Sequence, residues 1–353
     1  MPYFLPLPLG GVRRPPAKVP AAPRLSRRRG AAWLLAALLP GLLLPGLLLY
    51  TGPLAASPGV ERLIRHDQGE TRLRGTPLRV VTLFQGATDS AVALGVTPVG
   101  VVEAWRYPPV YPYLRPALAG VAQVGLESQP NLELIAALRP DLIVASSRRH
   151  ARIYPLLSRI APTVALAGLS DFKQTLALMG QALNRQARAE ALLTQWEGRA
   201  ANLRRQLPER LGAAWPPRVT LANLRADHAR IYLPQSFAGA ILAELGFLRP
   251  AGQPRQRRVL KLATEEGIPA LDADLLFLFM DRDDPAVERT HRRWSRHPLW
   301  RNLAAVRAGQ VFEVDEVAWN LGGGILAAQR MLDQIYHHYG LSGPRGPALA
   351  EGV

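Results

Sequence analysis

The sequence predicts an α/β protein of two similar lobes joined by a long helical segment, and three observations support that prediction. Short apolar runs alternate with helical patterns on both sides of the middle of the chain. One short pattern occurs twice, around Glu133 and Glu266, 133 residues apart. Between these copies, residues 171–208 have helical spacing and no strand pattern. Alternation at this pitch is typical of parallel sheets covered by helices.

The first lobe is predicted over residues 78–170. Short apolar runs indicate four strands, and the segments between them have the spacing of helices. The strand segments are RVVTLF, VTPVGVVE, DLIVASS and PTVALA, and the helical segments are ATDSAVALG, NLELIAALR and YPLLSRIA. Each helix leads directly into a strand, which is the order expected of βαβ units.

The interlobe segment, residues 171–208, is predicted to be a long helix with a step near Asn184 and Arg185. Its apolar residues share one helical face, and Pro208 is expected to end it. Those residues are Phe172, Leu176, Met179, Leu183, Leu192, Trp196, Leu203 and Leu207. The second lobe follows over residues 216–340 with RVTLAN, FAGAILAELG, DLLFLFM, HPLWRNLAAVRAGQ, VFEVD and a last helix, ILAAQRMLDQIYHHYG. The Gly/Pro-rich tail, residues 341–353, is expected to be disordered.

The repeated pattern places one acidic residue at the start of a short helix in each lobe. In each copy an Asp follows the Glu by eight positions, at Asp141 and Asp274, and an apolar run then begins. Paired acids on paired lobes would suit docking onto a two-fold symmetric basic partner. The alternative is local, because an acid in the first turn of any helix interacts favourably with the helix dipole.

The amino-terminal 56 residues are typical of an export signal or a membrane anchor. The basic run RLSRRR precedes residues 31–50, which are uncharged and mostly apolar. Positive charge followed by an apolar segment directs export. Cleavage after the small residues near Ala56, retention as an anchor, and a true start further downstream all remain open. Residues 57–77 are polar and are predicted to be a linker. Either way, the rest of the protein is expected outside the cytoplasm.

The composition restricts the chemistry of the protein. The chain has no cysteine, which excludes disulfides, thiolate metal sites, iron–sulfur clusters and a lipid-modified Cys. The net charge is +16, and from residue 57 onward 36 basic residues face 27 acidic ones, a balance of +9. Only three of the 43 basic residues are Lys. This arginine bias is also typical of codon composition, so it is weak evidence for an anionic ligand. No stretch has the basic and aromatic texture of a nucleic-acid groove.

The histidines are not spaced as metal ligands. His337 and His338 are neighbours on a predicted helix and point in different directions, and no pair has the i, i+4 spacing of a helical metal site. We therefore expect no cofactor and no direct metal ligands, and any iron should arrive already chelated. No catalytic triad, phosphate loop or dinucleotide fingerprint is present. The sequence favours a binding protein over an enzyme.

From about Leu78 to Tyr339 the chain resembles the siderophore-binding proteins of bacterial ABC importers, most closely the members that bind ferric dicitrate. Four segments in the family's order carry the resemblance: QPNLELIAALRPDLIVASSRRHARIYPLLSRIAP, FAGAILAELG, HPLWRNLAAVRAGQVFEVD and the turn around Trp319. The resemblance implies a class III solute-binding fold, with two Rossmann-like lobes and a long interlobe helix that restricts closure. It also implies a monomeric periplasmic carrier that delivers a ferric siderophore to an ABC permease dimer. Glu133 and Glu266 match the family glutamates that pair with permease arginines.

Ligands of such sheets bind beyond the carboxyl ends of the strands, so the loops after strands supply the candidate binding residues. The candidates are Trp105, Arg106, Tyr107, Arg149, His150, Arg225, Arg282 and Trp319. Guanidinium groups bind carboxylates in bidentate fashion and indole rings cover apolar parts of a ligand. The resemblance supports Arg149 and Arg225, which fall where the family also has Arg. Trp319 is alternatively a core residue.

One departure from the family bears on the ligand. Residues 320–324, Asn-Leu-Gly-Gly-Gly, stand where close relatives carry arginines. The loss of charge puts citrate in doubt and is equally compatible with a larger siderophore. The glycines themselves predict a tight helix entry whose N–H groups cap the helix or hold an anion. The remaining alternatives are a carrier of cobalamin or haem, and a ligand sensor anchored by residues 31–50.

Overall fold

Two separate sheets form the centres of two lobes in the computed structural model, which describes residues 61–168, 170–254 and 257–346. The predicted fold class is therefore confirmed. The signal or anchor predicted for residues 1–56 and the end of the tail, residues 347–353, lie outside the described residues. Among the helices that are described, none is both long and apolar enough to cross a bilayer.

The first lobe contains a six-stranded sheet of order β6-β5-β4-β3-β7-β8. Its strands are β3 (Val80–Thr82), β4 (Gly100–Glu103), β5 (Ala122–Leu126), β6 (Gln129–Pro130), β7 (Leu142–Ser146) and β8 (Thr163–Leu166). All neighbouring pairs are parallel except β5 and β6. The covering helices are α1 (Gln85–Ala93), α2 (Leu132–Ala137), α3 (Ser147–His150) and α4 (Tyr154–Ile160). The carboxyl ends of β3, β4, β5 and β7 therefore meet at one edge of this sheet.

The second lobe contains a five-stranded sheet that is only partly parallel. Its order is β11-β10-β9-β12-β13, with β9 (Val219–Leu224), β10 (Ala229–Tyr232), β11 (Val259–Leu262), β12 (Leu275–Met280) and β13 (Val311–Glu313). β10 is antiparallel to both of its neighbours, whereas β9, β12 and β13 are parallel. The helices are α7 (Phe237–Glu244), α8 (Pro285–Arg296), α9 (Pro298–Arg301), α10 (Ala304–Arg307) and α11 (Ile325–His338). Short 3-10 turns lie at Pro112–Leu114, Gly212–Ala214 and Glu265–Leu271, and a π-helical turn lies at Val317–Leu321.

The interlobe segment consists of two helices, α5 (Phe172–Ala182) and the 26-residue α6 (Gln186–Leu211). The predicted step is confirmed at Asn184, whose φ of +56° breaks the helical path. The predicted end at Pro208 is wrong, because α6 continues to Leu211. A proline removes only one hydrogen bond in the last turn, and Gly212, with φ +54°, ends the helix.

The predicted linker over residues 57–77 is wrong for residues 61–74, which form an antiparallel hairpin. The strands are β1 (Glu61–His66) and β2 (Gly69–Arg74). The hairpin packs on β8, where the Thr71 hydroxyl donates to the Thr163 carbonyl at 2.7 Å. Only Ile64, Thr71 and Leu73 are buried in this hairpin. Most of its other side chains are charged or polar, so the alternation typical of a strand is hard to recognise in the sequence.

The two lobes repeat one structural unit at corresponding positions. The Asp141 carboxylate accepts hydrogen bonds from the backbone N–H groups of Leu78 and Arg79 at the start of β3. The Asp274 carboxylate accepts a hydrogen bond from the Arg218 N–H at the start of β9. β3 pairs with β7 as β9 pairs with β12, so each Asp joins equivalent parallel strands. The repeat predicted from the sequence is therefore a repeat of structure.

The last helix ties the second lobe back to the first. Asp89 of α1 is fully buried, and its carboxylate accepts from the N–H groups of Leu326 and Ala327 in the first turn of α11. Burial raises the Asp89 pKa to about 6. A Cβ at Gly324 would lie 2.2 Å from the Asp89 carboxylate oxygen, so glycine is needed where α11 begins. The sequence predicted that N–H groups at this helix entry cap the helix or hold an anion. Two of them, those of Leu326 and Ala327, donate to the Asp89 carboxylate.

The described part of the tail is ordered against α6, contrary to the predicted disorder. Gln206 donates to the Ser342 carbonyl at 2.9 Å, and Gln195 donates to the Arg345 carbonyl at 3.1 Å. Side-chain amides of α6 thus satisfy backbone acceptors of a segment that has no regular secondary structure.

Candidate functional site

A cleft of about 630 Å³ lies between loops that follow strands of both sheets. Its volume is in the range of small-molecule binding sites. The first lobe contributes Phe84, Gln85, Gly86, Trp105, Arg106, Glu127 and Arg149. The second lobe and the segment that follows it contribute residues 223–228, Arg230, Tyr232, Asp281, Asp284, Val287, Glu316, Asn320, Leu321 and Gly323. Much of this lining lies in loops that follow strands, where the sequence placed the candidate binding residues.

Trp105, Glu127 and Arg149 form one cluster on the first-lobe wall. The Glu127 carboxylate forms a salt bridge with Arg149, whose Nε lies 2.5 Å away, and accepts a hydrogen bond from the Trp105 indole N–H at 3.1 Å. The Arg149 guanidinium lies over the Trp105 ring, 5.2 Å from its centroid. Burial raises the pKa of Glu127, and the Arg149 charge and the indole hydrogen bond offset part of that rise. One buried carboxylate therefore orients a guanidinium and an indole that both face the cleft.

The candidate binding residue His150 lies behind this cluster and does not line the cleft. Its side chain is buried at 1% exposure, where Nδ1 accepts from the Ser146 N–H at 3.0 Å. Nε2 lies 2.8 Å from the Glu127 carbonyl, to which it donates in this tautomer. Burial lowers the His150 pKa, which favours this neutral form. His150 joins the loops after β5 and β7 and so positions Glu127.

Arg106 spans the cleft between the lobes. Its guanidinium donates to Asp281 at 2.7 Å and to Glu316 at 3.1 Å, both beyond the second sheet. Burial opposes its charge, but the hydrogen bond to Glu316 and the Asp281 charge hold the Arg106 pKa above its usual value. Tyr107 does not line the cleft but contacts Arg106: its hydroxyl accepts from the guanidinium at 2.9 Å, and its ring centroid lies 4.7 Å from the guanidinium carbon.

Glu316 is the buried carboxylate of the second-lobe wall. It accepts from the Asn223 amide at 2.7 Å and lies 3.9 Å from the Arg225 guanidinium. Its side chain is 6% exposed, whereas that of Arg225 is 46% exposed. Arg225 therefore stands at the open side of the cleft, in the turn between β9 and β10. Glu316 and Glu127 are counterparts, because each is a buried acid beyond a strand end that contacts cleft arginines.

Further acids on the second-lobe wall have local partners. The Asp284 carboxylate accepts from the Ala286 N–H and caps α8. His228 lies between the Asp227 carboxylate, at 2.6 Å, and Arg230 Nε, at 3.0 Å. This wall is consequently a mixture of acidic and basic groups.

Two further candidates, Arg282 and Trp319, are not among the residues that line the cleft. Arg282 pairs with Glu313 and Glu288 and thereby links β13 to α8. Trp319 is 1% exposed and packs on Phe277 with ring centroids 4.5 Å apart. Position after a strand places a residue near the sheet edge but does not fix the direction of its side chain. The core alternative for Trp319 is the one that the structure supports.

The two candidate docking glutamates are exposed in equivalent surroundings. Glu133 lies in the first turn of α2, which Asn131 caps, and Glu266 lies in the 3-10 turn before β12. Each precedes by eight residues the Asp that joins the parallel strands of its lobe. The neighbouring Glu265 pairs with Arg293 at 2.5 Å. Within the described residues, neither Glu133 nor Glu266 makes a salt bridge.

The sequence analysis did not single out the buried acids Glu127 and Glu316. It also did not single out Asn223 and Arg230, which line the second-lobe side of the cleft. The available signal was position, because Glu127 directly follows β5 and Glu316 follows β13. A lone Glu after a strand is common on protein surfaces, so that signal was weak. Among the described residues, no group of three or more His, Asp or Glu side chains is arranged to hold a metal ion.

Comparison with known proteins identifies a family over most of the described chain. The family model described as "Periplasmic binding protein" matches residues 80–318. The achromobactin-binding periplasmic protein of Dickeya dadantii is 52% identical over 268 residues, covering 76% of this chain and 88% of the relative. The Fe(3+) dicitrate-binding periplasmic protein of Escherichia coli is 30% identical over 296 residues, covering 82% and 95%.

A solved structure gives the same result for the fold. Staphylococcus aureus SirA complexed with staphyloferrin B superposes with a TM-score of 0.76 at 39% identity, covering 80% of this chain and 99% of SirA. The family match over residues 80–318 includes strands of both sheets and the interlobe helices.

Proposed function

Because the chain belongs to the periplasmic binding protein family, we propose that it captures a ferric siderophore of carboxylate type in the interlobe cleft and delivers it to the permease of an ABC importer. The family and the relatives are substrate-binding transport proteins and not enzymes. Several relatives are named as periplasmic proteins or lipoproteins, and we propose that this chain also acts outside the cytoplasm. Export would use residues 1–56, either cleaved or kept as an anchor.

The observation that supports this function best is the oriented arginine of the first-lobe wall. Glu127 holds Arg149 through Nε. Within the described residues, neither terminal nitrogen of Arg149 has a hydrogen-bond partner. These two nitrogens form the face of the guanidinium that binds a carboxylate in bidentate fashion. The adjacent Trp105 ring, 48% exposed, offers apolar cover for the organic part of a chelate.

Arg106 gives the cleft a means of coupling binding to lobe movement. Arg106 pairs with Asp281 and Glu316 across the cleft. A ligand carboxylate that approaches Arg106 competes with these resident partners and alters the contact between the lobes. Because the interlobe connection is the long helix α6, the expected movement is a modest closure rather than a wide hinge. The ligand shifts a balance between open and closed forms.

The chelate is proposed to be larger than citrate. Asn320, Leu321 and Gly323 line the cleft without side-chain charge. Two relatives about 30% identical are named for ferric citrate, whereas the relative at 52% is named for achromobactin and the SirA structure holds staphyloferrin B. Ferric achromobactin, ferric staphyloferrin B and ferric citrate therefore form the first ligands to test.

Delivery is proposed to use Glu133 and Glu266. Each is exposed at the same place in its lobe, so together they present two equivalent acids to a permease dimer. Opposite charges on such surfaces steer encounter and fix orientation more than they raise affinity.

A fluorescence titration tests the proposed function. Of the seven tryptophans, Trp105 lies in the cleft, so iron chelates that bind there should quench it. We expect saturable quenching by at least one ferric carboxylate siderophore, with a Kd in the micromolar range or below. The variant Trp105→Phe should lose most of the quenching while equilibrium dialysis still detects binding. A lack of response to every ferric chelate, or co-purified haem or cobalamin absorbance, would overturn the proposal.

A further inference from the structure

The helix α8 of the second lobe has an exposed stripe of arginines. Its buried residues, Val287, Thr290 and Trp294, face the body of the lobe. On the opposite side, four arginines recur at the i, i+3, i+4 and i+7 positions that share one helical face. We call these four residues the arginine stripe: Arg289, Arg292, Arg293 and Arg296 are all exposed.

The stripe carries an excess of positive charge that local acids do not neutralise. α8 has four arginines and one glutamate in 12 residues, whereas α6 has five arginines and three glutamates in 26. Codon composition can replace lysine by arginine, but it does not remove acids from one helix. Among the described residues, Arg289 and Arg296 form no salt bridge, and Arg292 lies 3.9 Å from the Glu288 carboxylate. Glu288 is shared with Arg282, at 2.9 Å.

The stripe lies beside the candidate docking residue Glu266. Arg293 pairs at 2.5 Å with Glu265, the neighbour of Glu266. The helix that follows α8 in the chain, α9, packs on the 3-10 turn that contains both glutamates. Arg301, at the end of α9, is exposed as well. The basic stripe and the proposed docking acid therefore occupy neighbouring surfaces of the second lobe.

The class of partner follows from this position and charge. A permease residue that pairs with Glu266 is expected to be basic, and it would repel the stripe. A carrier that docks through Glu133 and Glu266 turns this surface towards the membrane, so the stripe would face the bilayer around the permease. Headgroups of anionic phospholipids supply negative charge there, and guanidinium groups bind phosphate oxygens in bidentate fashion.

Such a contact would be electrostatic and superficial. Interfacial amphipathic helices insert their apolar face into the bilayer. α8 cannot do so, because Val287 and Trp294 are buried against the second lobe. The attraction would then depend on charge alone and decay within about 8 Å, the Debye length at physiological ionic strength. Added salt should therefore weaken it strongly.

We propose that the arginine stripe of α8 holds the second lobe against the headgroups of an anionic phospholipid bilayer. The inference rests on the proposed function, which sets the direction of the docking surface, and it adds the bilayer as a partner. The helix between the corresponding strands of the first lobe, α4, has one arginine in seven residues. The attraction should therefore act mainly on the second lobe. It would keep the carrier near its permease and favour the docking orientation.

Probes on single cysteines test the inference, because the natural chain has no cysteine. Ser295→Cys carries a fluorophore at the flank of the stripe, and Ala201→Cys carries one on the exposed face of α6. The full-length protein is mixed with phosphatidylcholine vesicles that contain a headgroup quencher, with or without phosphatidylglycerol. Any attachment through residues 1–56 is common to both probes. We expect phosphatidylglycerol to quench the Ser295→Cys probe at least about threefold more than the Ala201→Cys probe, and added salt to remove the difference.

Two triple variants, each measured with the Ser295→Cys probe, assign this effect to the stripe. The stripe variant, with Arg289, Arg292 and Arg296 each replaced by Gln, should lose the additional quenching. Each arginine near an anionic surface strengthens the attraction about fivefold, so three account for about 100-fold. The control variant removes the same charge from α6 and should keep the quenching: Arg188→Gln, Arg204→Gln and Arg205→Gln. Both should bind a ferric siderophore normally, because none of these residues lines the cleft.

Several results would overturn the inference. Equal quenching of the two probes in the presence of phosphatidylglycerol is one, and additional quenching that persists in the stripe variant is another. Loss of iron uptake by the stripe variant without any lipid-dependent quenching would assign the stripe to the permease instead. In each case, binding of a ferric siderophore by the purified protein would leave the proposed function intact. Stripe-dependent quenching of a protein that binds no ferric chelate would support the membrane contact and overturn the proposed function.

Discussion

The two lobes share a frame but differ in what they present to the cleft. In each, an Asp joins the start of one parallel strand to the next, at Asp141 and at Asp274. The first lobe has a nearly all-parallel sheet and a wall with an arginine stacked on an indole. The second has an antiparallel edge and a wall rich in carboxylates. The comparison teaches that the strand and helix pattern sets the frame, while the loops beyond the strands set ligand chemistry.

The docking glutamates provide the strongest test of equivalence between the lobes. Replacement of both Glu133 and Glu266 by Ala should abolish uptake of the ferric siderophore, because each lobe loses its acidic contact to the permease. Ligand affinity of the purified protein should stay within about twofold, since neither residue lines the cleft. Uptake of radioactive iron and equilibrium dialysis measure the two effects.

Single variants refine this test. Glu133→Ala and Glu266→Ala should reduce uptake to similar extents if the lobes dock equivalently. Glu190→Ala, on the exposed face of α6, is a control with the same loss of charge. Normal uptake by the double variant would contradict the docking proposal.

The ionisation of Asp89 tests how much the contact between α1 and α11 contributes to the stability of the protein. Its pKa is about 6 in the folded protein against 3.8 ordinarily, so the folded state binds this proton more tightly than the unfolded state does. Its contribution to stability is therefore full below about pH 4 and is lost as the pH rises through about 6. Relative to Asp89→Asn, the wild type should lose up to about 3 kcal/mol between pH 4 and pH 7.

Urea unfolding at several pH values measures that difference. The isosteric Asn retains an acceptor for one N–H group of α11, so the variant should fold and serve as the reference. Stability curves of the two proteins that run parallel from pH 4 to pH 7 would show that Asp89 does not titrate in this range.

An Arg149 variant tests whether the first-lobe wall of the cleft binds the carboxylates of the ligand. Arg149→Ala should weaken binding of a ferric carboxylate siderophore about 10- to 100-fold, because a charge-assisted contact is lost and Glu127 remains without its partner. Arg148→Ala is the matched control, since Arg148 is exposed and does not line the cleft. Arg225→Ala should have a smaller effect, because Arg225 is largely exposed. Equal affinities of Arg149→Ala and Arg148→Ala would remove Arg149 from the binding site.

Much of the frame could be predicted from the sequence because it depends on local pattern. Apolar runs indicated the central strands, and apolar spacing with Asn184 indicated the stepped helix. The hairpin at residues 61–74 was missed, since its charged composition hides the alternation. The antiparallel strands β10 and β11 were also missed, because strands of only four residues give weak periodicity.

The site was less predictable because side-chain direction depends on tertiary packing. Trp105, Arg106, Arg149 and Arg225 reach the cleft, whereas Arg282 and Trp319 follow strands equally closely and point elsewhere. Glu127 and Glu316 gain their importance from burial beside arginines that are distant in sequence. The glycines at 322–324 suggested room for a ligand or an anion, yet Gly324 is required by the close approach of Asp89.

The position of iron in a crystal of the complex is the most direct test of the central claim, that a ferric chelate binds between the two lobes. Anomalous diffraction at the iron edge, from protein loaded with the tightest-binding ferric siderophore, locates the metal without assumptions about the ligand. We predict one strong peak within the cleft, with ligand carboxylates on Arg149. A peak outside the cleft, or direct coordination of iron by side chains of the protein, would contradict the account.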